Sequence, residues 1–351
     1  MAMTDRIFAL LRELSDAPGP VGREEPVQRI VSNHLERLGI ELKRDRLGNL
    51  LGTLEGTEEH FALVGHADEV GFLVSNIEEN GFLRVKWNTQ GYLPDLRLIP
   101  GQRVSIITDK GVVPGCFCVK TAHIAGAKGK ARIPSPEEVF LDIGAESKEE
   151  VQNMGVYVGT PVLYDTQLQK IGVNVVGKSL DDRVGLTVMI AVAAELAKLD
   201  KEARPTVTFV STVMEELGAK GAAAVAQDLN VDGVIILEIG LADDHPGTSG
   251  EAGISLGKGP VIVIKDTHLH YSHQQNQRLI DTAEKRDIPY QRAVFHNYMT
   301  DGVQMVAHGQ VVSAIGIPCR YSHSSFETIR LDDVKNTIKL VRHFLEGELE
   351  K

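Results

Sequence analysis

The sequence has little of what several large protein classes depend on. Three cysteines in 351 residues, Cys116, Cys118 and Cys319, are too few for a disulfide framework, and the C-x-C pair lacks the spacing of a structural zinc site. They are expected as small buried hydrophobes. No apolar run approaches the roughly 18 residues of a membrane span. The N-terminal MAMTDRIFALL opens an amphipathic helix without a signal-peptide pattern, so the chain is expected to be soluble and cytoplasmic. Bases are scarce as well: 37 Lys and Arg face 48 Asp and Glu, and the net charge of -11 argues against nucleic acid or a membrane as partner.

What the chain does have is length and an ordinary hydrophobic content of 42%. Length beyond what one core comfortably serves predicts two domains, or one large domain with an insertion. Helical spacing of Ile7, Phe8, Leu10, Leu11 and Leu14 predicts a first helix, ended by the turn formers of DAPGPVG. Val27, Ile30, Val31, Leu35 and Leu38 form the stripe of a second, with Gly39 as its stop. The apolar strand Phe61 to Gly65 then runs into HADE.

Residues 67–165 differ in texture, with short β-like runs such as GFLVSNI, QRVSIIT and GCFCVK punctuated by glycine and proline. Inside them, His123 to Pro136 reads as a long loop, and Lys148 to Met154 as a helix with Ser147 and Glu150 as its capping box. After residue 165 strand and helix alternate. The expected fold is α/β, a mainly parallel sheet covered by helices on both faces, built from residues 1–66 and 166–351, with 67–165 as a small β-rich insertion.

In such sheets ligands gather outside the carboxyl ends of the strands, so the polar residues there carry the information. SLDDRVG places Asp181 and Asp182 side by side ahead of an apolar helix, where they either cap it or share a cation, with Arg183 able to offset one of them. His66 and Asp68 stand two residues apart after the strand 61–65. This pattern suits either a strand cap or a metal-bound imidazole oriented by an acid. MEELGAKGA brings Glu215 and Glu216 to a helix mouth, where a helix dipole also favours acids. Glu238 ends the apolar strand VIILEIG, and AIGIPCRYSHSSFE ends in His323 and Glu327. Each has a bland explanation, but together two histidines and up to five carboxylates leave one sheet at successive strand ends. A pair of divalent cations accounts for all of them, and imidazole with carboxylate suits zinc, cobalt or manganese. Two ions roughly 3.5–4 Å apart can hold a hydroxide and polarise an amide carbonyl. His268, His270 and His273 precede a helix in a loop and are read as solvated or supporting.

Six stretches in order, GHADEVGF, SLDDRVG, MEELGAKGA, the strand ending LEIG, MTDG and YSHSSFE, resemble the motif set of the dinuclear metal aminopeptidases that form tetrahedral particles. This is the deblocking or glutamyl aminopeptidase-like family, whose members are sometimes labelled endoglucanase or cellulase M. The likeness spans nearly the whole chain, FLDIGAESKEEVQNMGV of the inserted module included. It implies a zinc-peptidase-like fold and hydrolysis of N-terminal residues from peptides with two divalent ions per subunit. His66 and His323 would bind different ions, Asp181 would bridge them, Glu216 would join His323 and Glu238 would join His66. Glu215 would be the general base acting on a two-metal-bound hydroxide, Asp68 would orient His66, and Asp182 would support the bridge through a strained peptide bond. The inserted module would pair subunits into dimers, six of which close into a dodecamer.

This chain departs from the family in two places: it has Glu238 where aspartate is usual, and His296, Asn297, Tyr298 and Met299 where glycines commonly precede the Thr-Asp. The competing functions are an endoglucanase-type glycoside hydrolase, whose carboxylate pair works without histidine ligands, and a non-catalytic assembly protein on the same fold.

Overall fold

The computed structural model describes residues 3–90, 94–130, 132–248 and 250–346. The chain divides into one compact unit of Met1–Glu69, Gln167–Ser322 and Phe326–Lys351, and a second of Val70–Thr166 with His323–Ser325.

The first unit opens with helices α1 (Met3–Asp16) and α2 (Glu25–Glu36), then strands β1 (Leu42–Arg44), β2 (Leu50–Leu54) and β3 (Thr57–His66). Of the predicted stripes, α1 buries Ile7, Leu11 and Leu14 and α2 buries Val27, Val31 and Leu35, while Phe8, Leu10 and Ile30 are half-buried and Leu38 lies beyond α2. Pro26 suits the first turn of α2, and Gly39, at a φ of 79°, lets the chain leave it in the left-handed region.

The second unit contains β4 (Phe72–Ile77), β5 (Leu83–Trp87), β6 (Arg103–Thr108), β7 (Gly111–Cys118), α3 (Ala122–Lys130), β8 (Phe140–Asp142), α4 (Lys148–Asn153) and β9 (Pro161–Tyr164). Its strands close into a barrel in the order β4-β5-β8-β7-β6-β9. Alternate residues such as Phe72, Val74, Val104, Ile106 and Val162 fill it, with the Phe72 ring 4.7 Å from that of Phe117. Ser147 caps α4 by accepting the Glu150 amide at 3.2 Å, while the Glu150 carboxylate accepts from Glu146 rather than closing the expected box. The stretch read as a loop from His123 is helical through Lys130, broken at Gly126, whose φ is 69°; Ala131 lies outside the described residues. Cys116 and Cys118 lie half-buried on β7 with Sγ atoms 3.5 Å apart, so of the three cysteines only Cys319 is the buried hydrophobe expected.

The rest of the first unit is β10 (Gln169–Ile171), β11 (Asn174–Gly177), α5 (Leu180–Leu196), β12 (Pro205–Thr212), α6 (Lys220–Ala226), β13 (Gly233–Leu241), β14 (Val261–Lys265), α7 (His273–Lys285), β15 (Gln291–Val294), α8 (Gly302–Ala307), β16 (Val312–Cys319), β17 (Glu327–Ile329) and α9 (Leu331–Glu346). Eight strands form one sheet in the order β1-β2-β12-β3-β13-β16-β14-β15. Its centre, β12-β3-β13-β16, is parallel, and every residue of β12 and β16 is buried. That burial fits strands covered on both faces of a parallel sheet, although β12 mixes threonine and serine with its apolar residues. Antiparallel pairs interrupt the pattern between β1, β2 and β12 and between β16 and β14. The chain between β13 and β14 forms no helix among its described residues, and β14 runs antiparallel to its neighbour β16. Strands β10, β11 and β17 make a separate small sheet that the sequence pattern did not reveal. Among the described residues no helix is long and apolar enough to cross a membrane.

Candidate metal centre

Parallel strands β3, β12, β13 and β16 all present their carboxyl ends at one edge of the sheet, so His66, the Glu215–Glu216 pair, Glu238 and His323 follow from topology as neighbours. Asp181 and Asp182 arrive from the first turn of α5, where neither has helical φ and ψ and the peptide bond joining them is cis.

His66 is at the middle. Its Nε2 lies 3.0 Å from Asp181 Oδ1 and 3.7 Å from Glu238 Oε2, and its Nδ1 lies 3.5 Å from Asp68 Oδ1. All four side chains are buried. Burial by itself disfavours the imidazolium, but the Asp181 and Asp68 carboxylates outweigh it and hold the His66 pKa well above its ordinary value. Burial raises the Glu238 pKa, and the charges of Asp181 and Asp182 raise it further. Glu215 is raised by burial too, with His66 opposing and Asp301 and Glu216 adding to the rise.

Among the described residues, two groups of ligating side chains offer one atom each within 4.8 Å of one another: His66, Asp181 and Glu238, and Asp181, Glu216 and His323. Asp181 belongs to both. The donor set, imidazole nitrogen with carboxylate oxygen, is that of zinc, cobalt or manganese. Buried acids that raise one another's pKa are a cluster that a divalent cation offsets, so the residues present fit such an ion.

The surrounding groups are mostly occupied with backbone amides. Asp182 accepts from His66 N at 3.2 Å and Gly185 N at 3.0 Å. Asp68 accepts from Glu215 N at 3.0 Å and Glu216 N at 2.9 Å, while Glu327 takes the Asp181 amide at 3.1 Å. The expected offset by Arg183 is indirect: the charge of Asp182 acts on it, but its guanidinium pairs with Glu69 and the carbonyls of Leu14 and Ala17. Tyr298 is buried and donates its hydroxyl to the carbonyl of Ile239 at 2.6 Å, next to Glu238, whereas His296 and Asn297 are exposed. His268, His270 and His273 are exposed.

Sequence reasoning assigned no role to Asp301, Glu24 or Asn49. Asp301 is buried, accepts the Thr212 hydroxyl, and has its pKa raised to about 6 by burial. Its place in MTDG was the available signal. Glu24 and Asn49 carried none, because their partners are amides of the distant segment after β12.

The family model described as M42 glutamyl aminopeptidase matches residues 48–340. A protein of Escherichia coli (strain K12) that carries an aminopeptidase name, FrvX, is 34% identical over 345 residues, covering 96% of this chain and 94% of its own. Among solved structures, the aminopeptidase APDkam598 from Desulfurococcus kamchatkensis superposes with a TM-score of 0.91 at 32% identity, over 98% of this chain and 96% of its own. The TET1 peptidase of Pyrococcus horikoshii, described as able to assemble into a tetrahedron or a large octahedral shell, superposes with a TM-score of 0.87 at 28% identity, over 97% of this chain and 99% of its own.

Proposed function

Because this chain belongs to the M42 glutamyl aminopeptidase family, we propose a specific division of labour for its activity, the metal-dependent removal of N-terminal residues from peptides. His66, Asp181 and Glu238 would hold one divalent ion and Asp181, Glu216 and His323 a second. The observation that carries this reading is that Asp181 belongs to both ligand groups, which suits a carboxylate bridging two sites. Zinc, cobalt or manganese bound there would supply Lewis acidity for the scissile carbonyl and lower the pKa of water.

Glu215 is the general base. It neighbours the ligand Glu216 in sequence but belongs to neither ligand group, and it is buried where a proton acceptor escapes bulk water. It takes the proton of the attacking water and returns it to the departing amine. Asp68 holds the Nδ1 side of His66, which leaves Nε2 for the site, and Asp182 ties the backbone of His66 to the start of α5.

The finer architecture belongs to the same reading: a zinc-peptidase-like sheet with helices on both faces in residues 1–66 and 166–351, and residues 67–165 as an inserted dimerisation domain. The TET1 peptidase, described as assembling into a tetrahedron or an octahedral shell, supports extending this to a closed particle, for which the expected number is twelve subunits.

The test is Glu215→Gln, which keeps the shape and removes the proton acceptor. Turnover of aminoacyl chromogenic substrates should fall by roughly two to four orders of magnitude while metal content by elemental analysis stays at the wild-type level. A variant that loses metal instead would make Glu215 a ligand, and one with unchanged turnover would remove it from the reaction.

A further inference from the structure

The segment that carries Glu215 is held in an unusual way. Four successive backbone amides donate to buried side chains: Val213 N to Asn49 Oδ1 at 2.9 Å, Met214 N to Glu24 Oε1 at 3.2 Å, Glu215 N to Asp68 Oδ1 at 3.0 Å and Glu216 N to Asp68 Oδ2 at 2.9 Å. The carbonyls of the same stretch are taken from the other direction. Gly221 N donates to Val213 O, Lys220 N to Met214 O, and both Gly218 N and Ala219 N to Glu215 O.

The helix expected after Glu216 starts only at Lys220, so these four amides lie in the turn ahead of α6, where even a capped helix start would satisfy fewer of them with side chains. One side chain usually caps one or two amides, and water takes the others. Here Met214 adopts a φ of 55°, a left-handed conformation that a side chain such as methionine takes only when its surroundings impose it.

Each acceptor is fixed in turn. The Asn49 amide group donates to Asp45 Oδ2 at 2.6 Å and to Gly221 O at 3.1 Å, which leaves its Oδ1 facing Val213 N. Glu24 Oε1 also accepts Gly22 N at 2.7 Å.

We propose that Glu24 and Asn49 are positioning residues for peptide hydrolysis, which act through the backbone of Val213 and Met214 to hold Glu215 at the angle its proton transfer needs. Neither belongs to a ligand group. The inference rests on the reading of Glu215 as general base. Proton transfer demands a donor and acceptor within hydrogen-bond reach, and a displacement of about 1 Å is enough to cost on the order of a hundredfold in rate. Releasing Met214 N frees the peptide plane next to Glu215. Glutamine at position 24 keeps an Oε1 acceptor for the same amide.

The test is a double-mutant cycle on the metal-loaded enzyme with aminoacyl chromogenic substrates. Glu24→Ala should lower kcat roughly tenfold to a hundredfold with KM and metal content unchanged, and Glu24→Gln should restore most of the loss. Asn49→Ala should behave like Glu24→Ala. In the Glu215→Gln background, Glu24→Ala should cost nothing further, since no base remains to be positioned. If Glu24→Ala lowers kcat by the same factor in both backgrounds, or Glu24→Gln is as slow as Glu24→Ala, the positioning role is overturned while Glu215 keeps its own. If Glu215→Gln alone leaves turnover intact, the general-base assignment is what fails. Should either alanine variant fold poorly by thermal melting, the comparison of Glu24→Gln with wild type still decides: near-wild-type kcat supports the role, and a tenfold loss with intact melting refutes it.

Discussion

Lys178 Nζ lies 2.7 Å from Oε2 of Glu69, and both side chains are buried. The other oxygen of the same carboxylate accepts Gly19 N at 2.9 Å and faces Nη2 of the fully buried Arg183 at 3.3 Å. Two cations thus share one carboxylate. Burial pulls the pKa of Lys178 and of Arg183 down, and Glu69 pushes both back up. These cations bracket Asp181 and Asp182 in sequence, so the network fixes the turn that presents the carboxylate proposed to bridge and ties it to the end of α1 through Leu14 and Ala17.

Lys178→Met removes one partner and leaves Glu69 buried with only Arg183. The cost of breaking such a pair is about 3–5 kcal/mol, and the remaining guanidinium places this case at the lower end. Urea unfolding should report that loss, and the double variant Lys178→Met with Glu69→Gln should recover part of it. A loss below about 1 kcal/mol would show that the lysine is replaceable.

Glu238 is one methylene longer than the aspartate usual in its family. On the proposed ligand set, Glu238→Ala should lose one of two ions, and Glu238→Asp should alter metal affinity or preference without emptying the site. Elemental analysis after dialysis against a weak chelator decides this. Two fully occupied ions in Glu238→Ala would remove this carboxylate from the ligand set.

Glu24 gives a pH signature. Burial, with Asp68 adding to it, raises its pKa from 4.5 to about 7 against the pull of the Gly22 and Met214 amides; Arg44 and Arg183 are the cations that feel its charge. A raised carboxyl pKa means that the folded chain holds the proton more tightly than the unfolded one. Stability from this group is therefore greatest below pH 4.5 and declines as pH rises to about 7. At about 1.4 kcal/mol per unit, the decline is on the order of 3 kcal/mol, after which it is complete. Glu24→Gln lacks the titration, so its stability relative to wild type should climb across that window. A difference that stays flat from pH 4 to 8 would mean that Glu24 titrates alike in both states.

Much of this was legible because the sheet is simple where it matters. VIIL in β13 is an unbroken apolar run and PTVTFVST is buried throughout, as strands covered on both faces require, and acids stand near the carboxyl end of each. Local patterns could not show β14 running against β16, since direction is set by what the intervening chain does. Nor could they show the end of Arg183's side chain, which pairs with Glu69 and donates to the carbonyls of Leu14 and Ala17. Glu24 and Asn49 escaped for a related reason. Their partners are backbone amides more than 160 residues away, and a backbone amide has no letter in the sequence.

Residues 67–165 belong almost wholly to the second compact unit. Six strands, a closed barrel and an aromatic cluster around Phe72 make a unit with a core of its own. Apart from Asp68, the stretch contributes none of the proposed ligands or proton carriers. On the proposed reading, a module of nearly a hundred residues that adds no chemistry serves assembly, and barrel closure removes the open strand edges through which such a module would otherwise aggregate. Exposed Val112 and Val158 give its surface apolar side chains that a partner subunit would cover. The expected solution state is a dimer that closes further into a particle of twelve. Native mass measurement on the metal-loaded protein separates the cases. A stable dimer would reject the shell and leave the pairing role, whereas a monomer at micromolar concentration would reject both. Substitution of Val112 and Val158 by lysine should weaken whichever contact they cover and lower the mass by whole subunits. A particle of unchanged mass would place the contact elsewhere on the chain.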